Sequence, residues 1–176
     1  AYLSYSSNLQ EEVMNEDRPS AFLLSLSGCG LLSRPQQAEQ ILSCNAQTAA
    51  YGLSLTPAQA LALAKAREET LIKTGRVELD GGVLPSLIRA FCDSPYLTQD
   101  NYADTLEELV TLFYAFKNET EDRLGDVALI AYMKEAFDGP CGGSLELLAG
   151  RGLETLQARL GPSGLGWEWE EARTED

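Results

Sequence analysis

Apolar positions recur along most of this chain at intervals of three and four residues, the spacing that lays one buried stripe along an α-helix. After Ser33-Arg34, Pro35 takes a first-turn position, Ala38, Ile41, Leu42 and Ala49 follow, and Gly52 stops the pattern just past Tyr51. Thr56-Pro57 restarts it as cap and first helical residue, and Leu61, Ala64, Leu71 and Ile72 carry it to a terminating Gly75. Leu84, Leu87, Ile88 and Phe91 repeat at i, i+3, i+4 and i+7, with Pro85 in the first turn and Asp93-Ser94-Pro95 as the end. A long helix is predicted from Gln99 to Asn118 with Thr98 as its cap, because Tyr102, Leu106, Leu109, Phe113 and Phe116 fall within about 80° of one another at 100° per residue. Asp126 to Asp138 is apolar on a broader arc and is expected near the centre, with Gly139-Pro140 stopping it. Ser144 caps a short helix containing Leu145, Leu147 and Leu148, and Leu153, Leu156 and Leu160 continue a last one.

Two short stretches, 51–55 and 76–79, alternate instead of following the helical period, which leaves room for a very short β-ribbon. The predicted fold is therefore all-α, a compact single-domain array of about six helices with at most that ribbon. On the wheel of the second helix, Arg67 and Glu68 fall within or beside the apolar arc. They are expected to snorkel to water, the alternative being a buried partner for each.

Composition removes whole classes of chemistry. The 176 residues contain no histidine, so imidazole-based triads and histidine metal sites are excluded from this chain. With 27 acidic against 13 basic side chains the formal charge is −14, and the basic residues are scattered beside carboxylates, Lys65 and Arg67 near Glu68 and Glu69, and Lys73 and Arg76 near Glu78. Neither nucleic acid nor an anionic membrane is an expected partner. No apolar stretch approaches the ~20 residues of a membrane span.

The ends are the most acidic parts. Residues 1–18 read as an acidic extension, residues 19–160 as the helical domain, and residues 161–176 as a mobile acidic tail whose Trp167 and Trp169 could dock on a partner. Cys29, Cys44, Cys92 and Cys141 lack paired metal or redox spacing, so reduced, mostly buried thiols and a cytoplasmic location are expected. Leu26-Ser27-Gly28-Cys29 has the form of a lipoprotein processing site, but it follows Glu11, Glu12, Glu16 and Asp17 instead of a basic start and a long apolar run.

Three strings, CNAQTAAYGLSLT (44–56), TGRVELDGG (74–82) and AFCDSPYLTQDNY with LFYAFKNE (90–102 and 112–119), resemble a bacterial domain-of-unknown-function family, family 6323, over about residues 35–160. That resemblance implies a bacterial, cytosolic origin and carries no catalytic residues with it.

The candidate chemistry is sparse. The carboxylates Asp100, Asp104, Glu107 and Glu108 lie opposite an apolar seam and read as a solvated face, not as a cation site. The loop Gly139-Pro140-Cys141-Gly142-Gly143-Ser144 has the form of an anion-binding turn but lacks a P-loop lysine, and the two helix boundaries it joins already account for its residues. Cys141, near a helix start, is the better placed of the thiols for reactivity, and an inert cysteine is the favoured reading. Arg67, Arg76 and Glu78 are candidate ligand-binding residues, since a buried arginine clamps carboxylates or phosphates. Tyr96, Tyr114, Lys117, Asn118 and Glu119, together with Trp167 and Trp169, are candidates for a partner surface. Tyr114 lies on the polar side of its helix, either exposed for a partner or packed by the following segment through its hydroxyl. No catalytic residue, metal site or cofactor is assigned. The expected role is a cytosolic interaction or accessory subunit. The alternatives are a small-ligand binder or histidine-independent enzyme using Arg, Glu and Tyr groups, and a ligand-free homodimer.

Overall fold

The computed structural model describes residues 33–78 and 82–162. Ser33 opens α1 (Arg34–Ser43) through a reciprocal box in which its hydroxyl accepts from the Gln36 amide and the Gln36 side chain accepts from its own. The chain bends at Cys44 into α2 (Asn45–Thr48) and a 3₁₀ turn (Ala49–Tyr51), and Gly52 ends that run in the left-handed region at φ 73°. The same box recurs at Thr56 and Gln59, where Pro57 is the first residue of α3 (Pro57–Thr74) and Gly75, at φ 67°, closes it. Gly75 and Arg76 donate back to the carbonyls of Ile72 and Leu71.

Further on lie α4 (Val83–Phe91), α5 (Tyr102–Glu119), α6 (Asp126–Asp138) and α7 (Leu145–Leu147). A π-helical turn (Leu148–Gly152) then leads into α8 (Leu153–Leu160). Six of these helices have eight residues or more, and no strand occurs among the described residues. The chain is all-α. α3 lies between α1 and α5, α4 packs on α5 and α6, and the π turn joins α8 to α6. One contiguous core, from Ile41 through Phe91, Phe113 and Met133 to Leu160, runs through all of them.

Two expectations are corrected here. The ribbon does not form among the described residues, because the extended segment after Gly52 finds its partners in side-chain amides. Asn45 both donates to the Leu55 carbonyl and accepts from its N–H, each at 2.9 Å, and Gln99 does the same for Ser54 at 3.0 and 2.8 Å. An amide side chain reproduces a peptide unit, so a neighbouring strand is not needed. Thr98 is likewise not the cap of α5. Residues 99–101 form turns, Asn101 holds the N-cap position, and its side chain accepts from the Thr98 amide at 2.9 Å. Ser144 does cap α7, accepting from the Leu147 amide at 3.1 Å.

Candidate functional site

The two charged residues in the apolar arc of α3 do not snorkel. Glu68 is buried and receives both Nε and Nη2 of Arg34 from α1, at 2.8 and 2.7 Å. Arg67 is only 2% exposed and pairs with Glu78, with Nε at 3.1 Å from Oε1 and Nη2 also in contact. Tyr114, reaching over from α5, donates to the other Glu78 oxygen at 2.7 Å and accepts from Arg67 Nε at 3.3 Å. Burial acts against the guanidinium, but Tyr114 and the Glu78 carboxylate outweigh it and hold the Arg67 pKa above its ordinary value. Burial, and then the Glu78 charge, push the Tyr114 phenol far up, so it stays a neutral donor.

The exposed reading of Tyr114 is therefore corrected. It is 1% exposed, and α5 is buried over roughly half its circumference, because Val110, Tyr114 and Lys117 are covered as well as the apolar seam. Lys117, also assigned to a partner surface, is buried too; its ammonium contacts the Leu124 carbonyl at 3.0 Å and Asp126 at 2.7 Å. Asn118 donates to the Thr74 carbonyl at 3.2 Å and accepts from Arg76 at 2.6 Å, and Arg76 reaches Asp122. That contact raises the Arg76 pKa and lowers that of Asp122.

Arg67, Arg76, Glu78, Tyr114, Lys117 and Asn118, drawn from two separate sets of candidates, thus form one polar cluster tying the end of α3 to the end of α5. Its groups are spent on one another, which makes it a structural clamp. Glu119 and Tyr96 lie outside it. Glu119 is exposed and its carbonyl accepts from Gln157. Tyr96 sits beyond the other end of α5, edge-on to Phe137 and across Gly143, where any Cβ would come within 2.4 Å of its ring. Trp167, Trp169 and Cys29 fall outside the described residues.

The glycine-rich loop is closed to anions, because the amides of Gly139, Cys141, Gly142, Gly143 and Ser144 all donate to backbone carbonyls and Pro140 has none. Cys141 is buried, and burial pushes its thiol up, away from the reactive thiolate. No group of three or more potential ligands is arranged to hold a metal, and no helix is long and apolar enough to cross a membrane, among the described residues.

Two concavities remain, and sequence reasoning picked out neither. An open groove of about 520 Å³ runs between α3, α5 and α7. Ala66, Leu112, Leu145 and Ala149 give it an apolar floor, and Glu107, Glu108 and Glu146 stand along it. Burial, then Asp104 and Glu69, push the Glu107 carboxyl above its ordinary value. The carboxylate row read as a solvated face is thus one wall of a groove, a juxtaposition no local pattern encodes. The second concavity is a smaller cavity of about 100 Å³ bounded by α6, the loop after it, the π turn and α8. Its arginines, Arg151 and Arg159, follow the i, i+8 spacing of one helix face, a signal that the sequence did carry.

No curated protein and no solved structure matches the chain. One family profile does match, over residues 40–161, a span that includes the clamp, the groove and the cavity and leaves out both acidic ends. By that match the chain belongs to the Family of unknown function (DUF6323).

Proposed function

We propose that this chain is a protein-interaction or accessory subunit whose α3–α5–α7 groove seats an amphipathic helix of a partner bearing lysine or arginine. The supporting observation is the pairing of an apolar floor with an acidic wall whose charges repel one another. Glu107 is held above its ordinary pKa by burial and by Asp104 and Glu69, and a cationic side chain laid beside it would relieve that repulsion. Elsewhere the acids are largely matched, Glu68 by Arg34, Glu78 by Arg67 and Asp138 by Lys134, which leaves the groove as a place where attraction for a cation is unspent. A helix fits such a trough by placing i, i+3 and i+4 apolar side chains on the floor.

The test uses a fluorescent helical peptide with a leucine face flanked by lysines, with a glutamate-flanked version as control. E107Q/E108Q is expected to weaken the lysine peptide about five- to thirtyfold. E39Q/E154Q, which removes the same charge elsewhere on the surface, is expected to leave its affinity within about twofold. Equal losses in the two double variants would mean diffuse attraction to a −14 protein and would end the groove reading.

A further inference from the structure

The cavity between α6 and α8 is separate from the groove, and its lining has the opposite electrostatic character. Arg151, Thr155 and Arg159 sit at i, i+4 and i+8 along the π turn and α8, and all three line it. Acids outnumber bases 27 to 13 in this chain, and Arg34, Arg67, Arg76, Lys117 and Lys134 each take a carboxylate. Arg151 and Arg159 take none among the described residues, although Glu135 stands at the same cavity.

The surroundings are also held in place. The Arg159 guanidinium lies over the Tyr132 ring, 5.4 Å from its centroid, and the Tyr132 hydroxyl is anchored to the Gly152 carbonyl at 2.6 Å. Gly152 belongs to the π turn, an i→i+5 irregularity that tends to persist where a helix shapes a site. The remaining walls, Ala136, Cys141 and Leu147, are apolar.

We infer that this cavity binds a short-chain carboxylate, its charge forked by Arg151 and Arg159 with the Thr155 hydroxyl and its hydrocarbon end against Leu147 and Cys141. Two planar guanidiniums match the geometry of a carboxylate. A volume of about 100 Å³ holds roughly three waters' worth of ligand, which limits the class to chains of about two to four carbons. Phosphate fits less well, because its second charge would face Glu135 and its oxygens on the far side would face apolar wall. The inference does not depend on the groove.

The experiment is a ¹⁵N-¹H NMR titration of the full chain with propanoate, with propanamide and inorganic phosphate as separate arms. Propanoate is expected to give saturable shifts confined to the amides of 132–141 and 147–159, and propanamide none. Both arginines are exposed, so R151Q/R159Q should keep the folded spectrum while its affinity falls at least about tenfold. T155V, which leaves both charges, should weaken binding by a smaller factor. Three results would each overturn the assignment: no saturable propanoate shift, the same affinity in the double variant, or phosphate binding as tightly as propanoate.

Discussion

Arg67 shows how one residue shapes the rest of the structure. A guanidinium within the apolar arc of α3 must either reach water or bring a carboxylate inside, and the chain does the latter with Glu78, a residue just past the helix end. Removing one member of a buried pair leaves the other charge stranded. Glu78→Gln is therefore expected to cost about 3 kcal/mol, read as a lower urea midpoint at unchanged slope. Tyr114→Phe deletes a donor to that carboxylate but no charge, and should cost about 1–2 kcal/mol. If both variants unfolded at the wild-type midpoint, the cluster would not be a clamp. Pattern alone placed Arg67 at the edge of an apolar face and Tyr114 on the polar side of α5. It could not show that these two exceptions meet, because their separation of 47 residues is closed only when α3 and α5 pack.

At the scale of elements the punctuation was legible where a local bond makes the boundary. The reciprocal hydrogen bonds of Thr56 and Gln59 and the left-handed Gly75 delimit α3 where the sequence predicted, since caps and positive φ depend on near neighbours only. Gly75→Ala places a Cβ in open space but forces a residue with a side chain into φ 67°, and is expected to cost about 1–2 kcal/mol. Thr56→Ala should cost about 1 kcal/mol by orphaning the Gln59 amide. Thermal unfolding of the two variants measures both, and a neutral Gly75→Ala would show that the chain closes α3 some other way. Boundaries failed where they rest on distant groups. The start of α5 shifted because Asn101, not Thr98, holds the cap, and the expected ribbon gave way to the Asn45 and Gln99 amides, the latter 45 residues from the backbone it satisfies.

Across the whole molecule, stability against pH follows from opposing carboxylates. Asp122 is held low by Arg76, and Asp93 by Lys134, so each folded pKa lies below the unfolded value near 3.9. Their stabilisation is present above that value and is lost as pH falls through the folded pKa. Glu107 has the opposite sign. Its folded pKa is raised, so the part it contributes is complete below its unfolded pKa and is lost as pH rises through the folded one. D122N should accordingly be less stable than wild type at pH 7 and lose less between pH 5 and 3, while E107Q should gain slightly at pH 7, by under about 1 kcal/mol. Urea midpoints across that range decide it, and parallel curves for all three proteins would contradict both assignments.

Helical periodicity, caps and glycine stops, all properties of residues a few positions apart, already specified an all-α chain and the extent of α3 and α6. The missing histidine, equally local, ruled out imidazole chemistry. Tertiary packing decided which charges were spent on one another and which were left over. It joined the two sets of candidates into the α3–α5 clamp, turned a solvated acidic face into the wall of a groove, and set Arg151 and Arg159 around a cavity. The reason is physical: hydrogen bonds and ion pairs act over a few ångströms of space, and the chain brings Arg67 to Tyr114 or Arg159 to Tyr132 only by burying the apolar stripes between them.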